Sequence, residues 1–152
     1  MSLFEETYSL REARIEHAVP VAHLMNDLGY PTTAAEMTVR LQAITGAAAT
    51  YHTLVAVRDD VVVGVIGMGL AHYYERNGQY ARVLALSVRE ADRGAGVGTM
   101  LLRAAERWAR DAGANNVFVN SGNHRADAHA FYLGQGYRQT GLRFVKSLVH
   151  AT

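Results

Sequence analysis

A glycine cluster, Arg93-Gly94-Ala95-Gly96-Val97-Gly98, lies between a leucine- and valine-rich run and the most amphipathic stretch of the chain. No other feature constrains the fold as tightly. It demands a strand that ends in a tight turn and opens straight into a helix. Glycines clear side chains from the turn, so an anion can approach backbone N–H groups, and the first turn of a helix adds unbonded donors and a positive dipole end. The helix is read from Val97, Met100, Leu101, Ala104, Ala105, Trp108, Ala109 and Ala112, with Arg103, Glu106, Arg107 and Arg110 opposite and Gly113 closing it. The loop therefore reads as a diphosphate cradle. A dinucleotide fingerprint would need glycine at its first, third and sixth positions, and counting from Gly94 the sixth is Thr99. That fingerprint also belongs near the start of a βαβ unit, whereas hairpin-like runs come first here. A P-loop would need Gly-Lys-Ser/Thr, and the cluster has no lysine. A glycine turn without a ligand is the bland alternative.

The rest of the chain is read around this loop. Residues 9–14 suit a short opening strand. Val21, Leu24, Met25 and Leu28 mark one face of a helix over 19–28, which Gly29-Tyr30-Pro31 ends. Thr32 or Thr33 caps a second helix, with Glu36 as the capping-box acid if Thr33 is the cap. Its apolar side is Met37, Leu41 and Ile44, and Gly46 stops it. Residues 53–57 and 61–70 are β-branched runs joined by the turn Arg58-Asp59-Asp60, the second continuing to Tyr74. Tyr80 to Val88 is a strand with Ala81, Val83, Ala85 and Ser87 on one face and Arg82, Leu84, Leu86 and Val88 on the other, a pattern expected of a strand covered on both sides. Residues 116–120 form a short strand, 125–133 a short helix ended by Gly134, and 143–149 a last strand. The order predicts an α/β (α+β) fold: a mixed, mostly antiparallel central sheet with helices on both faces.

A chain of 152 residues suits one domain, read here as residues 9–150, with 1–8 an N-terminal extension compatible with a cloning remnant. Hydrophobic residues at 49% and only 2 prolines exclude a disordered or low-complexity chain. No cysteine is present, which removes disulfide scaffolds, thiol nucleophiles and cysteine-ligated zinc. The histidines show no paired spacing with an acid, so no metal is expected. A net charge of +1 gives no field to recruit nucleic acid. No apolar run of about 18 residues marks a membrane span, and the N-terminus Met-Ser-Leu-Phe-Glu-Glu has acids where a secretory signal is apolar. The expected location is the cytoplasm.

The pattern Arg-x-x-Gly-x-Gly, from Arg93 to Gly98 between such a strand and helix, resembles the coenzyme A pyrophosphate loop of the GNAT superfamily of N-acetyltransferases. The resemblance spans about residues 9–149. Leu84 to Gly98 is similar to the family's strand, turn and acetyl-CoA loop. Val117 to Tyr137 is similar to its later region, with Asn123, Ala130-Phe131-Tyr132 and Gly134-x-Gly136-Tyr137. Leu10-Arg11-Glu12-Ala13 and Leu28-Gly29-Tyr30 suit the amino-terminal half. The resemblance implies acetyl-CoA as donor, with no metal, and a small-molecule or peptide amine as acceptor. It implies that backbone groups at Leu86, Ser87 and Val88 hold the pantetheine arm as an added strand. One N–H there would polarise the acetyl carbonyl. Arg93, Gly94, Ala95, Gly96, Val97, Gly98 and Thr99 would hold the pyrophosphate. Asn123 would contact the pantetheine arm, and Arg125 would reach a phosphate or else be a solvated helix start.

By the same resemblance Tyr132 is the candidate general acid. Transfer from a thioester to an amine expels a thiolate, and a phenol with a reference pKa of about 10 is protonated and ready to donate at neutral pH. The alternative is an aromatic core residue beside Phe131. Many relatives carry a base glutamate on the strand corresponding to 80–88, and here that strand has no acid. His72, Glu75 and His124 are the nearby titratable groups, and none is assigned as base. The expected activity is acetyl transfer by direct attack in a ternary complex, the alternative a non-catalytic acyl-CoA-binding module. Family members often pair through a sheet edge or an exchanged terminal strand, which makes a homodimer the expected state. The acceptor pocket is expected from 25–40 and 142–146, with Tyr30, His72, Tyr73 and Tyr74 as lining residues.

Overall fold

A computed structural model describes residues 7–120 and 126–149. Its contacts divide into two compact units, with the boundary after Val119. In the first unit five strands form one sheet in the order β1-β2-β3-β4-β5: β1 (Ser9–Glu12), β2 (Tyr51–Arg58), β3 (Val61–His72), β4 (Gln79–Val88) and β5 (Ala114–Val119). Neighbours from β1 to β4 are antiparallel, and β4 and β5 are parallel. The mixed, mostly antiparallel sheet is the one expected from the sequence.

Helices α1 (Ala18–Asp27) and α2 (Ala34–Thr45) cover one face. Val21, Leu24, Met37 and Leu41 close there on Val55, Val57 and Val65 in one buried cluster. Thr33, not Thr32, caps α2, with its hydroxyl accepting from the Glu36 N–H at 3.1 Å while Glu36 accepts from the Thr33 N–H at 2.9 Å. Both bonds satisfy amides that a helix start leaves open. Thr33→Ala should therefore cost about 1 kcal/mol, lowering the melting temperature by about 2–4 °C in a chain of this size, as read by thermal denaturation. Helix α3 (Val97–Asp111) lies against β2, β3, β4 and β5 and buries Val97, Leu101, Leu102, Ala105 and Ala109. Gly64 faces it: a Cβ there would sit 3.1 Å from Leu101 Cδ1. The β2–β3 turn is closed by Asp59 (φ 51°) and Asp60 (φ 62°), a left-handed pair that matches strand twist and that aspartate tolerates.

One irregularity matters for function. Ala85 pairs with Gly67 and Val83 with Met68, so Leu84 is an extra residue in β4. A strand with one extra residue switches its faces there. Ala81 and Val83 are buried opposite Leu70 and Met68, whereas Ala85 and Ser87 pair with Gly67 and Val65. Ser87 reaches α1, its hydroxyl donating to the Leu24 carbonyl at 3.0 Å. The expected single face of Ala81, Val83, Ala85 and Ser87 is thus split in two. Arg82 and Leu84 are exposed, so β4 is not covered on both sides along its length.

In the second unit α4 (Ala126–Gly134) matches the expected short helix. Residues 143–149 do not form the expected strand. Among the described residues they pair with no other strand, and Leu142, Phe144, Val145, Leu148 and Val149 are exposed. Apolar alternation reports a strand's faces and says nothing of a pairing partner.

Candidate active site

β4 ends at Val88 and the chain turns through a short 3-10 segment, Glu90–Asp92, into the glycine loop. Gly94 (φ +82°) and Gly96 (φ +85°) both take the left-handed conformation, and neither has any atom within 4 Å of where a Cβ would stand. These glycines therefore serve backbone shape and leave open space above it. Gly96 is the residue before the first turn of α3, with no side chain to cap it. The first turn of α3 starts beside that space with no side-chain cap from Gly96, an arrangement suited to an anion. Ala95 is exposed, and Gly98 and Thr99 are half-buried. Val97 is 1% exposed, so its side chain belongs to the core and its backbone alone can face a ligand. Arg93 is exposed and folds back, Nε donating to the Val88 carbonyl at 3.0 Å.

The base of this loop is fixed by a buried carboxylate that sequence reasoning missed. Asp92 is 1% exposed. It accepts from the Tyr8 hydroxyl at 2.8 Å, pairs with Arg58 at 3.0 Å, and binds Arg89 Nε through its other oxygen. The Arg58 guanidinium also lies over the Tyr8 ring, 5.7 Å from its centroid. Burial by itself raises the Asp92 pKa, but hydrogen bonds from Arg89 and Tyr8 and the charges of Arg89 and Arg58 outweigh it and hold the carboxyl below its ordinary value. Desolvation, then the bond to Asp92, raises the Tyr8 phenol. No sequence signal joins these groups, because Tyr8 and Asp92 stand 84 positions apart.

Beside the loop, one edge of β4 is open. β5 pairs with β4 only from Gln79 to Val83, the last pair being Val83 with Val119. Past the bulge, Leu84 to Val88 pair with no strand on that side among the described residues, and the Val88 carbonyl is met by Arg93 Nε instead. Predicted residues Leu86, Ser87 and Val88 lie on this free edge, which can accept an extended chain as an added strand. The structure therefore brings 86–88 and 93–99 together at one end of β4. Asn123, His124 and Arg125 lie outside the described residues. Tyr132 is half-buried in α4, with ring centroids 5.3 Å from Phe131 and 5.6 Å from Tyr137, and its carbonyl accepts the Tyr137 N–H at 3.0 Å.

At the other end of β4 is an aromatic groove lined by His72, Tyr73, Tyr74, Glu75, Tyr80, Arg82 and Phe118. Tyr80 packs against Tyr73 (5.0 Å) and edge-on to Phe118 (5.4 Å). The Tyr73 hydroxyl donates to Asn115 at 2.8 Å and accepts from Asn116 at 2.9 Å. His72, Tyr73 and Tyr74, expected to line an acceptor pocket, do share a cavity. Tyr30 is exposed and is not among its lining residues. Among the described residues no group of three or more histidines and acids is placed to hold a metal, and no helix is long and apolar enough to cross a membrane.

Residues 20–137 match the Acetyltransferase (GNAT) family. The chain belongs to that family. The aminoalkylphosphonate N-acetyltransferase of Salmonella typhimurium is 36% identical over 97 residues, 64% of this chain and 63% of that protein. N-acetyltransferase 8F1 of Rattus norvegicus is 34% identical over 64 residues, 42% of this chain and 29% of its own length. The GNAT chain thus spans less than two thirds of these relatives. A GNAT family acetyltransferase from Staphylococcus aureus superposes with a TM-score of 0.80 at 28% identity, covering 93% of this chain and 99% of that one. An aminoglycoside N-acetyltransferase solved in complex with CoA superposes with a TM-score of 0.82 at 18% identity, covering 93% and 95%, which speaks for the fold alone.

Proposed function

We propose that this GNAT protein is an acetyl-CoA-dependent N-acetyltransferase for a small primary amine. The observation that carries this reading is the open β4 edge beside an uncapped, glycine-lined helix start. The pyrophosphate sits on the backbone of 94–99, and Arg93 and the helix dipole supply positive charge. The pantetheine arm lies along Leu86, Ser87 and Val88 as an added strand, which brings the thioester toward the bulge at Leu84. There a β4 N–H polarises the acetyl carbonyl. The amine attacks the carbonyl carbon, the C–S bond breaks, and the departing thiolate takes its proton from Tyr132. The proton lost by the amine passes to water. A relative named for aminoalkylphosphonates supports a small-molecule acceptor over a peptide.

Gly96→Glu tests the reading. A side chain at φ +85° costs about 1–2 kcal/mol in the left-handed region, and the space around it is open, so the variant should fold. Its carboxylate would face the pyrophosphate, and like charges about 4 Å apart repel by about 1–4 kcal/mol between bulk water and a protein surface. Acetyl-CoA affinity, measured by calorimetry, should fall by a factor of about 5 to 10³ by that arithmetic. Unchanged binding in a folded variant would remove the pyrophosphate from this loop.

A further inference from the structure

We propose that Arg82 reads a negative group on the acceptor, so that the preferred substrate is a small amine bearing a phosphonate, phosphate, sulfonate or carboxylate a few bonds from its nitrogen. The inference rests on the acetyl-transfer reading and names its substrate class.

Arg82 pairs with Gly69 in β3 and with Phe118 in β5, on the sheet face that carries Leu84. A Cβ on Gly69 would stand 3.2 Å from Leu84 Cδ1, which places the bulge residue beside this glycine. On the same face toward the bulge, Gly67 and Gly69 carry no side chain, and no atom lies within 4 Å of a Cβ built on Gly67. Gly67 thus leaves an open spot on the sheet beside the bulge, whereas Leu84 and the Tyr51 ring, 3.6 Å from a Cβ on Gly69, border it at Gly69. Along an antiparallel strand, two residues span about 6.8 Å, so Arg82 stands one small molecule's length from the bulge. An amine at the thioester and an anion at Arg82 are therefore compatible with one compact substrate.

The chemistry of the face points the same way. Arg82 is exposed, lines the groove, and makes no hydrogen bond or ion pair among the described residues. The other arginines at the sheet's ends are engaged: Arg58 and Arg89 with Asp92, Arg93 with the Val88 carbonyl, Arg76 over the Tyr73 ring. β4 carries no acid, so nothing on that strand neutralises Arg82 or attracts a second ammonium. Glu75 lines the same groove but forms no ion pair with Arg82. A guanidinium offers a planar fork of donors suited to carboxylate or phosphonate oxygens, and Tyr80 and Phe118 line the same groove.

The test is release of coenzyme A thiol from acetyl-CoA by the wild-type protein, with 2-aminoethylphosphonate, taurine and β-alanine set against ethanolamine and 1,3-diaminopropane. At least one anionic amine should exceed ethanolamine in kcat/KM by about tenfold or more, the scale of one charge-assisted bidentate contact. Arg82→Gln should erase most of that preference through KM for the amine, leaving KM for acetyl-CoA within about twofold, and Arg82→Lys should restore part of it. A wild-type preference for ethanolamine or the diamine overturns the proposal, as does an Arg82→Gln variant that keeps the anionic preference. Tight acetyl-CoA binding with no thiol release from any amine overturns acetyl transfer itself, and the acceptor assignment falls with it.

Discussion

Tyr132→Phe is expected to slow acetyl transfer by about 10²–10⁴-fold in single-turnover measurements, the range general acid catalysis supplies. Acetyl-CoA binding should stay nearly intact. The substitution removes one hydroxyl and keeps the ring. The edge-on contacts with Phe131 and Tyr137 therefore survive, and the backbone bond from the Tyr137 N–H to the Tyr132 carbonyl does not involve the side chain. A thiolate expelled without a proton is a poorer leaving group at the moment of C–S cleavage, so the loss belongs to the transition state. It should appear in kcat and in kcat/KM alike. Single-turnover rates are the fair readout, because slow product release would mask part of the chemical step in kcat. Rates within about twofold of wild type would make Tyr132 a packing residue and leave water as the acid.

The parts of this protein that the sequence announces are those whose cause is local. The capping box is complete within Thr33 to Glu36, and the glycine loop declares itself because glycine takes φ near +85° without the cost of about 1–2 kcal/mol that a Cβ brings. The helix behind it is legible because its apolar positions follow one face without interruption. The bulge at Leu84 is not legible. Alternation in Tyr80 to Val88 runs unbroken, and only pairing with β3 shows that one residue is extra. That single residue moves Ala85 and Ser87 to the face opposite Ala81 and Val83, leaves Arg82 in the open, and marks where β5 departs. Asp92 was hidden for a related reason. Its partners come from the chain's start, the β2–β3 turn and the end of β4, and no local pattern foretells their meeting. Residues 143–149 show the converse: a strand-like pattern with no partner among the described residues.

Asp92→Asn should cost about 3 kcal/mol of stability, the low end for breaking a buried ion pair because both arginines reach water. In a chain of this size that corresponds to a fall of about 6–12 °C in melting temperature. The amide keeps the carboxylate's shape, so no cavity forms. What it loses is charge, and it turns an N–H₂ group toward donors that already need an acceptor: Arg58, Arg89 and the Tyr8 hydroxyl. The pH dependence separates this from a packing defect. The folded-state pKa of Asp92 lies below its unfolded value of about 4, so its contribution is present above that pH and is lost as pH falls through the folded value. Tyr8 is shifted upward, so its share holds below about pH 10 and fades above it. Wild type and Asp92→Asn should therefore differ most between those limits and converge in acid, where the native carboxyl is itself protonated. Denaturant titrations from pH 7 downward follow the gap as the carboxyl takes up its proton. A gap that persists unchanged in acid would mean that shape, and not the charge of Asp92, holds the base of the glycine loop.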